Sequence, residues 1–493
     1  MANLLSVIKT GNARFEIISS QYDFTDNLSM NQVLALQKRS QLPVYHFFFD
    51  KLPLERPSSR PVPLKLHNMI LDYVDVGHIP AALEIMETCL SSGHSPTPTI
   101  ILILTDILLK RTKMQNKTQR QERTAQLFKA HALLIQILDV FGPGTLAPMW
   151  ASFTVHERKK FLRSATTIDM DSDAEDDDDN EDQDGNMRHG SRLSRFHDFW
   201  QLASYCFSSP IDKLSLNRLG CRLALQVLIQ LLESDIQSKR DQRDKLSECL
   251  LIQSIPKNAY GGSTQFDRLL DVIFCGLSAS TLSHNTHNGY DLLAENKDHA
   301  MKLLNMLILL SYCDLDLLET RSLVDQTYLR ISGLDLDTLR FVFQAISYPS
   351  FVASLCDLYF EDASTRYVRQ EHLLYKTRHK FSVEKMKNYI MKTCPQGGNK
   401  WTLETICRHA SMVMWRWHSH VRTLTYRYDW AITKATMAAD VQPRINKTTL
   451  NADDVAAWKR HLENMMDSCH GDHEPHRITD INSIVETLKL GLV

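Results

Sequence analysis

Between residues 400 and 437 the chain carries arginines, histidines and tryptophans at helical spacing, with no proline or glycine to interrupt them. Arg408, Trp415 and Arg422 recur every seven residues, and His409, Arg416, His420 and Arg427 follow seven, four and seven apart. On a helix the first set projects away from an apolar stripe of Ile406, Ala410, Val413, Trp417, Val421, Leu424, Tyr428 and Ile432, and the second set lines one flank. Such a face suits nucleic acid, because guanidinium groups neutralise phosphate and an aromatic ring stacks on a base. It equally suits a protein interface, or a docking surface for an acidic stretch of the same chain. From residue 363 to residue 434 there are fourteen Lys or Arg and four Asp or Glu, a local surplus of +10.

Two further groups have chemical potential. Cys469, His470, His473 and His476 have the residue types of a zinc site, but Gly471 and Pro475 confine them to one loop, and a closed structural site takes its ligands from two elements. They are read as a polar loop, with metal binding left open. Ser172 precedes Asp173, Glu175 and a run of aspartates, a fit to an acid-directed kinase. No nucleophile elbow, phosphate loop, dinucleotide fingerprint or H-E-x-x-H pair occurs. Cys407 and His409 stand two apart on a helix and do not face each other. The expectation is a non-enzymatic chain with no cofactor and no small-molecule substrate.

The composition is that of a globular protein with a large core: 493 residues, 43% hydrophobic, 23% charged and a formal net charge of -2. That length allows two or three domains at ~150 residues each. The ten cysteines form no C-x-x-C pair and most sit in apolar helical patterns, as expected of reduced core residues in a nuclear or cytoplasmic protein. The first residues show no basic segment followed by a long apolar run, so no signal peptide is expected. The most apolar runs, 100–109 and 303–313, fall short of the ~20 residues that span a bilayer, so no membrane partner is expected.

These residues are positioned by a succession of helices. The pattern is clearest over 64–113, which predicts three. Gly77 and Gly93 close the first two, Pro80 opens the second, and Thr97 with Pro98 opens the third. Before them come an aromatic segment at 41–52, read as a core-docking piece, and a proline-rich connector at 53–63. Residues 110–123 are basic and polar, either an import patch or a solvated loop, and a helix follows at 124–142. From Asp169 to Asp184 eleven of sixteen residues are acidic, which predicts a disordered insertion. Helices are then expected near 195–207, 213–234, 240–254, 264–278, 290–312, 334–346, 349–361, 366–378, 381–393, 400–437 and 451–467, with a short terminal one. No alternating segment of useful length appears.

Residues 64–98 resemble a pentatricopeptide or tetratricopeptide αα-repeat through Asn68, Ile70, Tyr73, Gly77, Ala82, Leu83, Ile85, Met86, Gly93 and Pro96. The resemblance covers one repeat, and no second clear copy follows. It implies antiparallel helix pairs. A base-by-base RNA code needs an array, which one unit does not supply. In architecture and size the chain is also similar to the α-solenoid subunits that recruit the SMC-family genome-maintenance complex, of the SUMO-interacting-motif-containing type. That resemblance rests on no diagnostic motif: TTIDMDSDAEDDDD offers only Ile168 and Met170 where a SUMO-binding pattern needs three or four aliphatics.

The expected fold is all-α, an irregular α-solenoid of antiparallel helix pairs with a disordered acidic insertion. The expected domains are an N-terminal helical repeat region at 1–165, an acidic linker at 166–192, and a C-terminal helical repeat region at 193–493 with the basic helix 400–437. The expected function is that of a scaffold or adaptor subunit of a nuclear multiprotein complex, in genome maintenance, with protein subunits as partners. The alternative is a nucleic-acid-binding helical-repeat protein that uses the basic face of 400–437.

Overall fold

A computed structural model describes residues 60–110, 116–154, 192–208, 216–239, 243–255, 266–278, 292–311, 320–362, 402–425, 452–467, 481–482 and 484. The described residues are almost all helical, and the fold is all-α. The chain divides into two compact units, one from Phe48 to Leu303 and one that joins Met1–Phe47 to Leu304–Val493. The acidic stretch does not separate them: described residues on both sides of it belong to the first unit.

In that unit a two-residue strand β1 (Arg60–Pro61) pairs in parallel with β2 (His94–Ser95), Arg60 opposite His94 and Pro61 opposite Ser95. Between them lie α1 (Leu64–Asp75) and α2 (Ile79–Ser91). Gly77 at φ 83° and Gly93 at φ 78° end the two helices. An added Cβ would meet nothing within 4 Å at either glycine, so backbone conformation alone requires them. Pro80 lies in the first turn of α2. The next helix, α3 (Pro98–Leu109), opens with the Thr97 hydroxyl accepting from the Ile100 N–H at 3.4 Å. Its residues Ile100, Ile101, Leu104, Thr105, Ile107, Leu108 and Leu109 are buried, as befits a helix apolar on nearly every side.

The helix α4 (Lys117–Phe141) starts seven residues before the expected position 124, so residues 117–123 are two helical turns and not loop. The reason is Arg123. Its guanidinium is buried and donates to the carbonyls of Ile107 and, at 3.1 Å, Lys110, which closes the open C-terminal end of α3. Gly142 at φ 83° then turns the chain through a 3-10 turn (Pro143–Leu146) into α5 (Ala147–Thr154).

Residues 155–191, including the acidic run and Ser172, lie outside the described residues. After a 3-10 turn at Arg192–Arg195, α6 (Phe199–Phe207) begins under Asp198, whose carboxylate accepts from the Gln201 N–H at 2.7 Å. The long α7 (Leu216–Lys239) packs on α3, α4 and α6. Its Gly220 lies against the end of α3, and a Cβ there would come within 1.9 Å of the Leu108 carbonyl oxygen. The single helix expected at 240–254 is two short ones, α8 (Arg243–Leu246) and α9 (Leu250–Gln253). The buried Asp235 accepts the Leu250 N–H at 2.8 Å and starts the second. The helix α10 (Phe266–Ser278) follows, and α11 (Leu292–Ser311) carries the chain past Leu303.

The second unit contains α12 (Thr320–Ile331), α13 (Leu336–Ala345), α14 (Pro349–Asp362), α15 (Leu403–Thr425) and α16 (Ala452–Asp467). The sequence reading had no helix at α12, whose apolar positions are diluted by Thr and Gln, although Leu323, Val324, Thr327 and Ile331 are buried. Asp335 caps α13 by accepting from the Asp337 and Thr338 N–H groups at 3.0 and 2.9 Å. Asn305 closes its other end, donating to the Ala345 carbonyl at 2.7 Å and accepting from the Ser347 N–H at 2.8 Å. Both α14 and α13 pack on α15 around a core that includes Trp415, Phe343 and Phe360, with α12 against α14 and α16 against α15. The helices expected at 366–378 and 381–393, and residues 426–437, lie outside the described residues.

Candidate functional site

The helix α15 begins where the sequence places it. Thr402 accepts from the Thr405 N–H at 3.2 Å, and Thr405 returns the contact by accepting from the Thr402 N–H at 2.9 Å. The expected stripe is buried: Ile406, Ala410 and Val413 are fully covered and Trp417 nearly so. The opposite side corrects the expectation. Trp415 does not face outward but is 0% exposed, stacked on Phe343 with ring centroids 4.2 Å apart and planes at 14°. Arg416 is buried too, with Nε donating to Asp357 Oδ1 at 2.8 Å and Nη2 to Oδ2 at 3.2 Å. Arg408 is half-buried and gives its guanidinium to the carbonyls of Ser332, at 3.2 Å, and Leu334, after the end of α12. His409 lies inside, edge-on to Phe360.

Four of the residues expected to form a contact face are thus part of the packing of α12, α13 and α14. The physical reason is that α15 is covered on several sides: Cys407, Ser411, Met412 and Met414, all off the expected stripe, are buried as well. The signal was present in SMVMWRW, which has no residue hydrophilic enough to demand solvent except Arg416, and Arg416 has its own carboxylate. His420 and Arg422 lie on α15 with side chains outside the described residues, as does Arg427 altogether. Cys469, His470, His473 and His476 are also outside them. Among the described residues no cluster of His, Cys, Asp and Glu could hold a metal ion, and no helix is long and apolar enough to cross a membrane.

A second constellation, which the sequence reading did not single out, lies inside the first unit. Arg222 and Gln226 share a face of α7, while Glu295, Asn296, His299 and Lys302 occupy one side of α11. His131 joins them from α4. Arg222 is 6% exposed and Asn296 3%. The Arg222 Nη2 reaches the Cys206 carbonyl at 3.4 Å, but among the described residues Nε and Nη1 have no partner, and neither has Asn296 Nδ2. At the edge Lys302 pairs with Glu233 at 3.3 Å.

Electrostatics in this interior follow from burial. His299 is pushed down to about 4, first by burial and then by the charges of Lys302 and Arg222 and by His131. His131 is lowered by burial, partly offset by its hydrogen bond with Gln226. The Glu295 carboxyl is raised by burial against the pull of Arg222. The Cys206 thiol is raised far up by burial, so it stays protonated and offers Arg222 no charge. What could have revealed the group is Arg222 itself, a lone cation within the apolar run LGCRLALQVLIQLL.

No protein-family model matches the chain, and no curated protein matches it.

Proposed function

We propose that this chain is a non-enzymatic helical scaffold, an adaptor subunit of a nuclear multiprotein complex acting in genome maintenance. In this reading its antiparallel helix pairs stack as an irregular solenoid and offer an extended surface to protein subunits. The observation that carries it is the inward packing of Trp415 and Arg416. The aromatic ring and the cation best placed to read nucleic acid are spent on holding α15 against Phe343 and Asp357. The all-α fold supports the same reading.

The local basic surplus around α15 favours the second reading, a nucleic-acid contact through His420, Arg422 and Arg427. Purification of the tagged chain from nuclear extract, with and without nuclease, separates the two. The scaffold reading expects the same stoichiometric protein partners in both, and unchanged partners with Arg422→Glu and Arg427→Glu. Partners that vanish on nuclease treatment, together with salt-dependent DNA or RNA binding by the purified chain that these substitutions weaken, would overturn it.

A further inference from the structure

We propose that Ser332 is a phosphorylation site for an acid-directed serine kinase, and that Arg408 receives its phosphate. A kinase of this class reads carboxylates on the C-terminal side of the acceptor. Five serines among the described residues have an acid three positions on: Ser238, Ser311, Ser322, Ser332 and Ser354. Four of them lie within helices, and Ser332 alone lies in a turn, between α12 and α13. Ser332 follows the last residue of α12 and Asp335 precedes the first of α13, so acceptor and determinant share one short connection. Ser332, Gly333 and Asp335 are exposed, and Asp337, 78% exposed, adds a second carboxylate five residues on. The turn is held by its backbone: the Ser332 N–H donates to the Tyr328 carbonyl at 3.0 Å and the Leu334 N–H to that of Ile331 at 3.2 Å. The Ser332 hydroxyl donates to the Leu329 carbonyl at 2.8 Å, an exposed bond that water can replace.

What sets this serine apart is the cation beside it. Arg408 reaches across from α15, with Nη1 donating to the Ser332 carbonyl at 3.2 Å and Nη2 to that of Leu334. Its guanidinium thus rests on neutral carbonyls of the same turn, with the 55% exposed Glu404 carboxylate 3.8 Å away. In the transfer the Ser332 Oγ attacks the terminal phosphorus of a nucleoside triphosphate supplied by the kinase. An Oγ–P bond forms, the bond from that phosphorus to the bridging oxygen breaks, the hydroxyl proton is released and the nucleoside diphosphate leaves. The product puts three acceptor oxygens and a charge of about −1.5 to −2 on the residue whose carbonyl Arg408 already holds. The planar guanidinium fork matches a phosphate, which offers it opposite charge as well as hydrogen bonds. Arg330 adds positive charge from the last turn of α12. Asp335, Asp337 and the negative end of the α12 dipole oppose the phosphate, so Arg408 is the group that holds it.

The test treats the full chain with an acid-directed serine kinase and ATP, and maps the phosphate by mass spectrometry of its peptides. Phosphate should appear on Ser332, disappear from that peptide in Ser332→Ala, and form several-fold more slowly in Asp335→Asn, where asparagine keeps the cap of α13. The role of Arg408 is read by phosphorus-31 NMR titration of the phosphorylated chain. An exposed phosphoserine takes up its second proton near pH 6. Beside Arg408 the dianion is favoured, so the midpoint should fall below that of a phosphorylated peptide of residues 326–339, which has Arg330, Asp335 and Asp337 but lacks Arg408. Arg408→Gln should return the midpoint of the full chain to the peptide value. Should that variant fail to fold, the comparison of parent and peptide decides alone. A chain that is labelled at Ser172 and stays unlabelled at Ser332 would overturn the site. A midpoint equal to that of the peptide, or one that Arg408→Gln leaves in place, would overturn the pairing with Arg408.

Discussion

Arg416 grips Asp357 through two nearly parallel hydrogen bonds, 2.8 Å from Nε and 3.2 Å from Nη2, while its side chain is only 6% exposed. The pair ties α15 to α14 at the level of the stacked Trp415 and Phe343. Removing one partner leaves a guanidinium charge in the core. Asp357→Ala should therefore cost ~3 kcal/mol, whereas the double change Asp357→Leu with Arg416→Met should recover most of it. Chemical denaturation of the two variants checks this, and equal losses in the single and double variants would refute it.

Trp415 makes a second prediction on the same helix. Trp415→Ala opens a cavity against Phe343 and should cost ~3–5 kcal/mol, with Trp415→Phe costing far less. The outcome separates a packing role from a contact role. Denaturation midpoints should fall while any affinity for nucleic acid, measured on the folded fraction, stays the same.

Gly220 and Gly77 predict two different costs for one substitution. At Gly220 an added Cβ meets the Leu108 carbonyl at 1.9 Å, so α3 and α7 must part. Gly220→Ala should exceed ~3 kcal/mol, the upper end for overpacking. At Gly77 there is space, and only the φ of 83° resists. Gly77→Ala should cost ~1 kcal/mol. A ranking with Gly77 the more sensitive would contradict the geometry.

His299 predicts acid sensitivity. Its folded value of about 4 lies below the ordinary 6.5, so the unfolded chain binds the extra proton more readily. Its contribution is complete above pH 6.5, declines as pH falls toward 4, and levels off below that. A shift of this size corresponds to ~3 kcal/mol over the window. The raised Glu295 acts in the opposite sense, since its folded form holds a proton more tightly. Denaturation from pH 7.5 to pH 4 should show a slope that His299→Gln reduces, and an unaltered slope would exclude His299 as its source.

Much of the architecture is legible in the sequence, because glycine, proline and capping residues act locally. Gly77, Gly93, Pro80, Thr97 and Thr402 do in the structure what their types predict. What escaped is tertiary. Periodicity finds one buried side of a helix, as in Ile406, Ala410 and Val413, but it cannot see that neighbours cover the remaining sides. Hence Trp415 and Arg416 look exposed in the sequence and are not. Arg123 and Arg408 look like surface cations for the same reason. Each closes the carbonyl end of a different helix, a partner that lies 13 to 16 residues away for Arg123 and 74 to 76 for Arg408. The Arg222 group is assembled from α4, α7 and α11, and no local pattern joins residues 131, 222 and 296.

In the first unit the described residues stop at Thr154 and resume at Arg192, and the helix where they stop, α5, packs against the turn where they resume. The two segments are therefore joined by side-chain packing as well as by the covalent link between them. A nick between 154 and 192 would yield two fragments that remain a single body, and the same two pieces, expressed separately, have what they need to find each other. In this unit the association of the halves belongs to α3, α5 and α7.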